Sequence, residues 1–77
     1  MQTEIIWVGN MLDDCKAEWR GLFLHAEQMD RNYWWWRVSG PGGEEIDSSN
    51  NHHDRKYKNG KQARKAAEEI ANEYFPN

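Results

Sequence analysis

The strongest strand signal in this sequence is the stretch Tyr-Trp-Trp-Trp-Arg-Val at residues 33–38. Four consecutive aromatic residues and a β-branched residue two positions later favour an extended strand. Neighbouring side chains of a strand point to opposite faces of the sheet, so the stretch divides into two sets. One set is Trp34, Trp36 and Val38, and the other is Tyr33, Trp35 and Arg37. Because a chain of 77 residues rarely covers both faces of a sheet, we expect the first set in the core and the second on an open face.

The chain before this strand contains two further strand candidates. Residues 2–8 favour a first strand, which Gly9-Asn10 would end. Residues 16–26 favour a second strand, in which the apolar positions change face near Gly21. A bulge at that glycine would account for the change. A helix over residues 12–26 is the alternative, which the glycine within the run and the missing N-cap disfavour.

A glycine-rich turn follows the aromatic strand and predicts a hairpin. Gly40-Pro-Gly-Gly supplies both positive φ angles and a preset bend, so the strand at 33–39 should be followed by a strand at 45–48. We predict that Val38 lies opposite Ile46 and that Arg37 lies opposite Asp47. This register pairs apolar with apolar and cation with anion.

The C-terminal segment predicts a helix over residues 60–75. Its apolar residues recur at intervals of three and four, which is one stripe of a helix. Asn59 can act as the N-cap, with Gln62 three residues later as in a capping box. Pro76 should end the helix. The stripe consists of Ala63, Ala66, Ala67, Ile70, Ala71 and Tyr74.

These elements predict one α+β domain over residues 1–77. Its sheet would be a small antiparallel meander of three to four strands, packed on one face by the C-terminal helix. Although only 38% of residues are hydrophobic, five tryptophans can supply the core volume. We expect a stability of roughly 3–5 kcal/mol for a domain of this size without a disulfide. The predicted central cluster is Trp34, Trp36, Val38, Ile46 and Ile70.

Composition also indicates the cellular compartment. The single cysteine, Cys15, excludes an internal disulfide and suits a reducing environment. The sequence contains no apolar run of about 18 residues, and its N-terminus lacks the basic region of a signal peptide. We therefore expect a cytoplasmic protein with no membrane partner.

The formal net charge of -3 conceals a segregation of charge along the chain. Residues 55–65 hold six basic residues and no acidic residue, whereas the rest of the chain is acidic. The acidity argues against general affinity for nucleic acids, but the basic stretch could form a local phosphate site. This alternative nucleic-acid site would use Arg55, Lys56, Lys58, Lys61, Arg64 and Lys65.

The open face predicts a protein-binding site. Trp, Tyr and Arg are enriched at the energetic centres of protein interfaces, although they could also stack on nucleic-acid bases. Nearby acidic residues favour a partner protein with a basic surface. Packing of Trp35 beneath the N-terminal strand or a loop is the structural alternative. The predicted binding residues are Tyr33, Trp35, Arg37, Asp13, Asp14, Glu44, Glu45 and Asp47.

Catalytic and metal signatures are weak in this sequence. Cys15 has no evident partner base, and the paired acids Asp13-Asp14 and Glu44-Glu45 fall in predicted loops. Adjacent histidines, as in His52-His53, point apart in an extended loop, whereas a closed metal site needs about four convergent ligands. We predict no enzyme, no cofactor and no metal site.

In size, acidity, aromatic content and predicted sheet-plus-helix build, the chain resembles small phage-encoded inhibitors, including the anti-CRISPR proteins. The resemblance implies that the acidic residues at 13–14 and 44–47 mimic or block nucleic acid on a basic target. Residues 61–67, Lys-Gln-Ala-Arg-Lys-Ala-Ala, resemble the start of the last helix of double-stranded-RNA-binding domains. That resemblance implies phosphate contacts by the lysines. A homodimer formed through the aromatic face is a third possibility.

Overall fold

The computed structural model describes residues 4–74, which form one antiparallel sheet and one helix. The strands follow each other in space in their chain order, and α1 packs on β3 and β4. This confirms the predicted α+β fold, with five strands in place of three or four. The elements are β1 (Val8–Asn10), β2 (Asp14–Trp19), β3 (Leu22–Asp30), β4 (Tyr33–Ser39), β5 (Glu45–Ser48), a 3-10 turn (Ser49–Asn51) and α1 (Gly60–Tyr74).

The predicted single strand over residues 16–26 is wrong, because two strands meet there. Arg20 and Gly21 both have positive φ angles, 54° and 85°, and form a two-residue turn between β2 and β3. Trp19 and Leu22 are direct partners across this turn. The chain reversal, not a bulge, explains why the apolar positions change parity at Gly21. The helix alternative over residues 12–26 is also wrong.

The predicted strand over residues 2–8 is largely wrong as well, although its first two residues lie outside the described range. β1 begins only at Val8 and forms one edge of the sheet. Ile5 and Trp7 pack against the core, and the Trp7 Nε1 atom donates a hydrogen bond of 2.7 Å to Glu68 on α1. This contact with the helix draws the segment away from the sheet. Gly9, expected to end a strand, lies within β1 at a φ of 105°.

The bounds of β4 and β5 match the prediction, but the predicted register is wrong. Val38 lies opposite Asp47, not Ile46, and the pairing shifts between Val38 and Ser39. Arg37 consequently lies opposite Ser48. Ile46 is the extra residue of this irregularity, and it packs against the core. Asp47 accepts hydrogen bonds from Asn51 and His52, which follow β5 in the sequence. These bonds hold the C-terminal end of β5 in the displaced register.

The core lies between the sheet and α1. Trp34, Trp36 and Val38 are buried as predicted, and Ile46 and Ile70 pack against them partly buried. Fully buried alanines on α1 let the helix approach the sheet closely, while the tryptophans supply the volume. Within residues 4–74, no helix has the length and apolarity needed to cross a membrane.

We expect that Asn59→Ala will lower the free energy of unfolding by about 1 kcal/mol, because Asn59 caps α1. Its Oδ1 accepts a hydrogen bond of 2.9 Å from the Gln62 amide, while the Gln62 side chain accepts one of 2.8 Å from the Lys58 amide. Urea unfolding measures the change. Asn72→Ala, the same substitution at an exposed position inside the helix, is the control and should not destabilise the protein.

Candidate functional site

The face of the sheet opposite α1, here called the open face, carries side chains that alternate along each strand with the buried core residues. Because α1 covers only the other side, nothing among residues 4–74 covers the open face as a second layer. The open face includes Asp14, Lys16, Glu18, Phe23, His25, Glu27, Tyr33, Trp35 and Arg37.

Three aromatic residues lie along the open face. Phe23 is 48% exposed and Tyr33 is 46% exposed, whereas Trp35 is half-buried. The ring of His25 meets the ring of Trp35 edge to face, with 5.4 Å between centroids. The N-terminal strand does not cover Trp35, because β1 lies at the far side of β2 and β3 from β4. Trp35 is thus held in a defined orientation while remaining accessible.

The charge of the open face is predominantly negative. Arg37 Nε lies 3.6 Å from a carboxylate oxygen of Glu45, and its Nη2 donates a hydrogen bond of 3.4 Å to the Gly43 carbonyl. The cation of Arg37 is therefore already paired at the edge of the face. Three carboxylates remain on the face, those of Asp14, Glu18 and Glu27, against the ammonium group of Lys16.

Asp14, His25 and Glu27 converge in the middle of the open face. His25 Nε2 lies 2.6 Å from Asp14 Oδ1 and 3.8 Å from Glu27 Oε1. One potential metal-ligating atom from each of the three side chains lies within 4.8 Å of the other two. Neither His25 nor Glu27 was a predicted site residue.

The structure assembles only part of the predicted binding site. Tyr33, Trp35, Arg37 and Asp14 lie on the open face, and Glu45 joins them through its ion pair with Arg37. The other predicted acids do not belong to this surface. Asp13 lies in the turn between β1 and β2, Glu44 accepts a hydrogen bond of 3.0 Å from the Gly42 amide, and Asp47 is bound within its own network.

Phe23 and His25 were not predicted as site residues because a single strand over residues 16–26 gives β3 the wrong faces, and Glu27 lies just beyond that range. In that arrangement Phe23 shares a face with Ala17 and Trp19, which are buried. The turn at Arg20-Gly21 places Leu22 and Leu24 on the core side instead, so that Phe23 faces outward. The signal that could have revealed this turn is a glycine after a polar residue, between two runs of strand-forming residues.

Asp47 belongs to a hydrogen-bond network within the protein. Burial alone would raise the pKa of the Asp47 carboxyl, but hydrogen bonds from His52, Asn51 and the Ser48 amide outweigh burial and lower the pKa. These contacts measure 2.9, 2.9 and 2.8 Å. The ring of His52 in turn lies over Trp36, with 5.7 Å between centroids. Asp47 therefore fixes the turn after β5 and is not a free anion for a partner.

We expect that Asp47→Asn will flatten the acid limb of the stability curve. Because the native pKa is lowered, the ionised carboxylate stabilises the fold above the unfolded-state pKa of about 3.9. This contribution is lost as the pH falls through the lower native pKa. Urea unfolding between acidic and neutral pH should therefore show the largest difference from the parent protein near neutrality. The exposed Asp54→Asn should leave the curve unchanged.

Cys15 is sequestered in the core. It is fully buried, and burial raises the pKa of its thiol, an effect that the nearby Arg64 guanidinium only partly offsets. The Arg64 Nη1 atom donates a hydrogen bond of 3.1 Å to the Met11 carbonyl. A nucleophilic cysteine needs an accessible thiolate, so this thiol is poorly suited to catalysis.

The six basic residues of the alternative site divide between two grooves beside the start of α1. Arg55, Lys56 and Lys65 line a first groove of about 410 Å³, together with Glu69. The second groove, of about 400 Å³, is lined by cations from three segments, and no carboxylate of the described residues lines it. Its four cations are Arg31, Lys58, Lys61 and Arg64.

Comparisons of the chain with models of protein families, with curated proteins and with solved structures found no match. The resemblances to phage-encoded inhibitors and to double-stranded-RNA-binding domains therefore stay predictions.

Proposed function

We propose that this protein is a non-enzymatic binding module that docks through its open face on a larger protein with a basic surface. The observation that carries the proposal is the accessible, oriented Trp35 on a face of the sheet that has no second layer over it within residues 4–74. Exposed aromatic groups of this kind on a monomer commonly mark an interaction surface.

The aromatic side chains would supply most of the binding energy. Trp and Tyr bury much area on binding and dominate the energetics of many interfaces. Because Trp35 is already oriented by its contact with His25, and because its backbone is paired with Glu27 on β3, little conformational freedom is lost when a partner docks. The flanking Phe23 and Tyr33 would extend the contact.

The carboxylates of the open face define the chemistry of the partner. With Arg37 paired to Glu45, Asp14, Glu18 and Glu27 dominate the charge that a partner would meet. Complementary potentials accelerate association and exclude partners of like charge. The partner should therefore present lysines or arginines around an apolar patch. Proteins that handle nucleic acids have such surfaces, so an inhibitor of a nucleic-acid-processing protein is the specific form of this proposal.

Capture from a nuclease-treated lysate, followed by binding measurements with the purified captured protein, tests the proposal. We expect Phe23→Ser combined with Tyr33→Ser to weaken that binding strongly. Leu12→Ser is the matched control, because Leu12 is apolar and 82% exposed but lies outside the open face. The control should bind as the parent does. The captured protein should also bind less tightly as salt increases, since its basic residues would face the carboxylates.

Two outcomes would overturn docking through the open face. One is a captured protein whose affinity is unaffected by the Phe23 and Tyr33 substitutions but is reduced by Leu12→Ser. The other is self-association, in which sedimentation shows a mass that doubles with concentration and the face substitutions abolish the doubling. The second outcome would assign the open face to a homodimer.

Nucleic-acid binding is the second candidate function, and the second groove favours it. Its four cations surround the first turn of α1, where amide groups lack partners within the helix and the helix dipole is positive. Phosphate groups bind readily in such surroundings. Binding of labelled single- and double-stranded RNA and DNA should then fall steeply with salt and be lost in Lys58→Glu with Lys61→Glu. No binding at low salt would exclude this function.

A further inference from the structure

We propose that Asp14, His25 and Glu27 form a binding site for a divalent transition-metal ion, with Zn²⁺ as the best fit. The site lies on the open face, but the proposal does not depend on docking, because the ligands all come from this chain.

The sheet positions the three ligand residues already in the metal-free protein. Asp14 and Glu27 are direct partners across β2 and β3, and His25 lies two residues from Glu27 on the same face. Their chain neighbours Cys15 and Ala26 are fully buried and paired with each other. A slip in register would expose those buried residues, so the backbone positions of the ligands are fixed by the core.

The ligand spacing suits a tetrahedral ion. With Zn–N and Zn–O bonds of about 2.0–2.1 Å, two tetrahedral ligand atoms lie about 3.3 Å apart. The distances from His25 Nε2 to the two carboxylate oxygens, 2.6 and 3.8 Å, lie on either side of that value. Side-chain rotations that move the Asp14 and Glu27 carboxylate oxygens by less than about 1 Å would make their distances from His25 Nε2 equal, with no movement of the backbone.

The donor set indicates which ion would bind. An imidazole nitrogen favours Zn²⁺ and its neighbours in the transition series, whereas Mg²⁺ and Ca²⁺ prefer oxygen ligands alone. Two carboxylates neutralise the charge of a divalent ion. In the metal-free protein the His25 ring and the Asp14 carboxylate share a hydrogen bond, and the ion would replace it. Three protein ligands leave one position for water.

Two neighbours shape the site. Trp35 contacts the His25 ring edge to face at an interplanar angle of 84° and so orients the imidazole. Trp35 is a positioning residue and not a ligand. Lys16 is the direct partner of His25 on β2, and its positively charged ammonium group repels a cation bound at the site. Lys16→Ala should therefore bind the ion more tightly than the parent, a result that a purely structural Asp14–His25 contact would not produce.

Calorimetric titration of the purified chain with Zn²⁺ at pH 7.5, without any partner, tests the site. We expect one ion per chain, and an affinity at least about tenfold lower in each of His25→Ala, Asp14→Asn and Glu27→Gln, a loss of the size seen when metal ligands are disturbed elsewhere. Co²⁺ should give the visible absorption of a tetrahedral ion. The control is His53→Ala, which removes an exposed histidine outside the site and should bind as the parent does.

The parent protein provides a second test that needs no variant. The ring resonances of His25 should shift on addition of Zn²⁺ in a proton NMR spectrum, while those of His53 should not. The absence of heat and of a His25 shift would overturn the proposal, as would Zn²⁺ binding that is lost in His53→Ala but kept in His25→Ala. Such a failure would leave docking intact, because the docking measurements use Phe23 and Tyr33 and can be repeated in the presence of a chelator.

Discussion

Trp36→Ala should leave most of the protein unfolded at room temperature. The Trp36 side chain is only 1% exposed, lies between the sheet and α1, and contacts Tyr57 edge to face and His52 at a tilt. Removing a buried tryptophan commonly costs about 3–5 kcal/mol, because both the burial of apolar area and the packing of its neighbours are lost. A domain of this size without a disulfide has a total stability of roughly 3–5 kcal/mol, so the variant should retain little or none.

Circular dichroism and urea unfolding measure this prediction. The variant should lose the cooperative transition, whereas Trp36→Phe should keep a transition at a lower urea concentration. The second variant retains an aromatic ring and removes the indole N–H, which has no hydrogen-bond partner among the described residues. A Trp36→Ala protein that unfolds cooperatively within about 1 kcal/mol of the parent would show that Trp36 is not central to the core.

Trp35→Ala, one residue earlier, should have the opposite result: an intact fold and a large loss of binding. Trp35 lies on the open face, and its removal leaves the buried set of β4 untouched. We expect the free energy of unfolding to change by no more than about 1 kcal/mol. Binding to the captured partner should weaken by at least about 30-fold, which corresponds to the 2 kcal/mol typical of a residue at the centre of an interface.

The matched control for Trp35→Ala is Leu12→Ala, which truncates another exposed apolar side chain outside the open face. Affinity from calorimetry or surface plasmon resonance gives the comparison, with urea unfolding of each variant beside it. Equal affinities of the parent and Trp35→Ala for the captured protein would remove Trp35 from the site. A loss of the folded state in Trp35→Ala would mean that this ring contributes to the core, against its position in the sheet.

These neighbouring substitutions separate structure from function within one strand. Because the side chains of Trp35 and Trp36 leave the backbone in opposite directions, one reports on the contact with α1 and the other on the contact with a partner. A metal titration of Trp35→Ala adds a third measurement, since this ring orients His25. Weaker Zn²⁺ binding in a folded Trp35→Ala would support the positioning role.

The elements with local signals could be predicted from the amino-acid sequence. The alternation of residues 33–38 depends on the strand geometry alone, and the burial of Trp34, Trp36 and Val38 follows from it. The helix at Gly60–Tyr74 is specified by an apolar stripe and by the cap at Asn59, which involves residues no more than three positions apart. Such signals need no knowledge of how distant parts of the chain meet.

The pairing of the strands, and the side chains that this pairing brings together, could not be predicted from local sequence. A two-residue turn at Arg20-Gly21 sets which side chains of β3 face outward, and the hydrogen bonds of Asp47 shift the register of β5. Asp14 and His25 are distant in sequence and meet only because β2 and β3 align. The physical reason is that the strands adopt the register that buries the whole core and gives polar groups outside the strands their hydrogen-bond partners. Both conditions involve residues that are far apart in the sequence, so a local stretch cannot specify them.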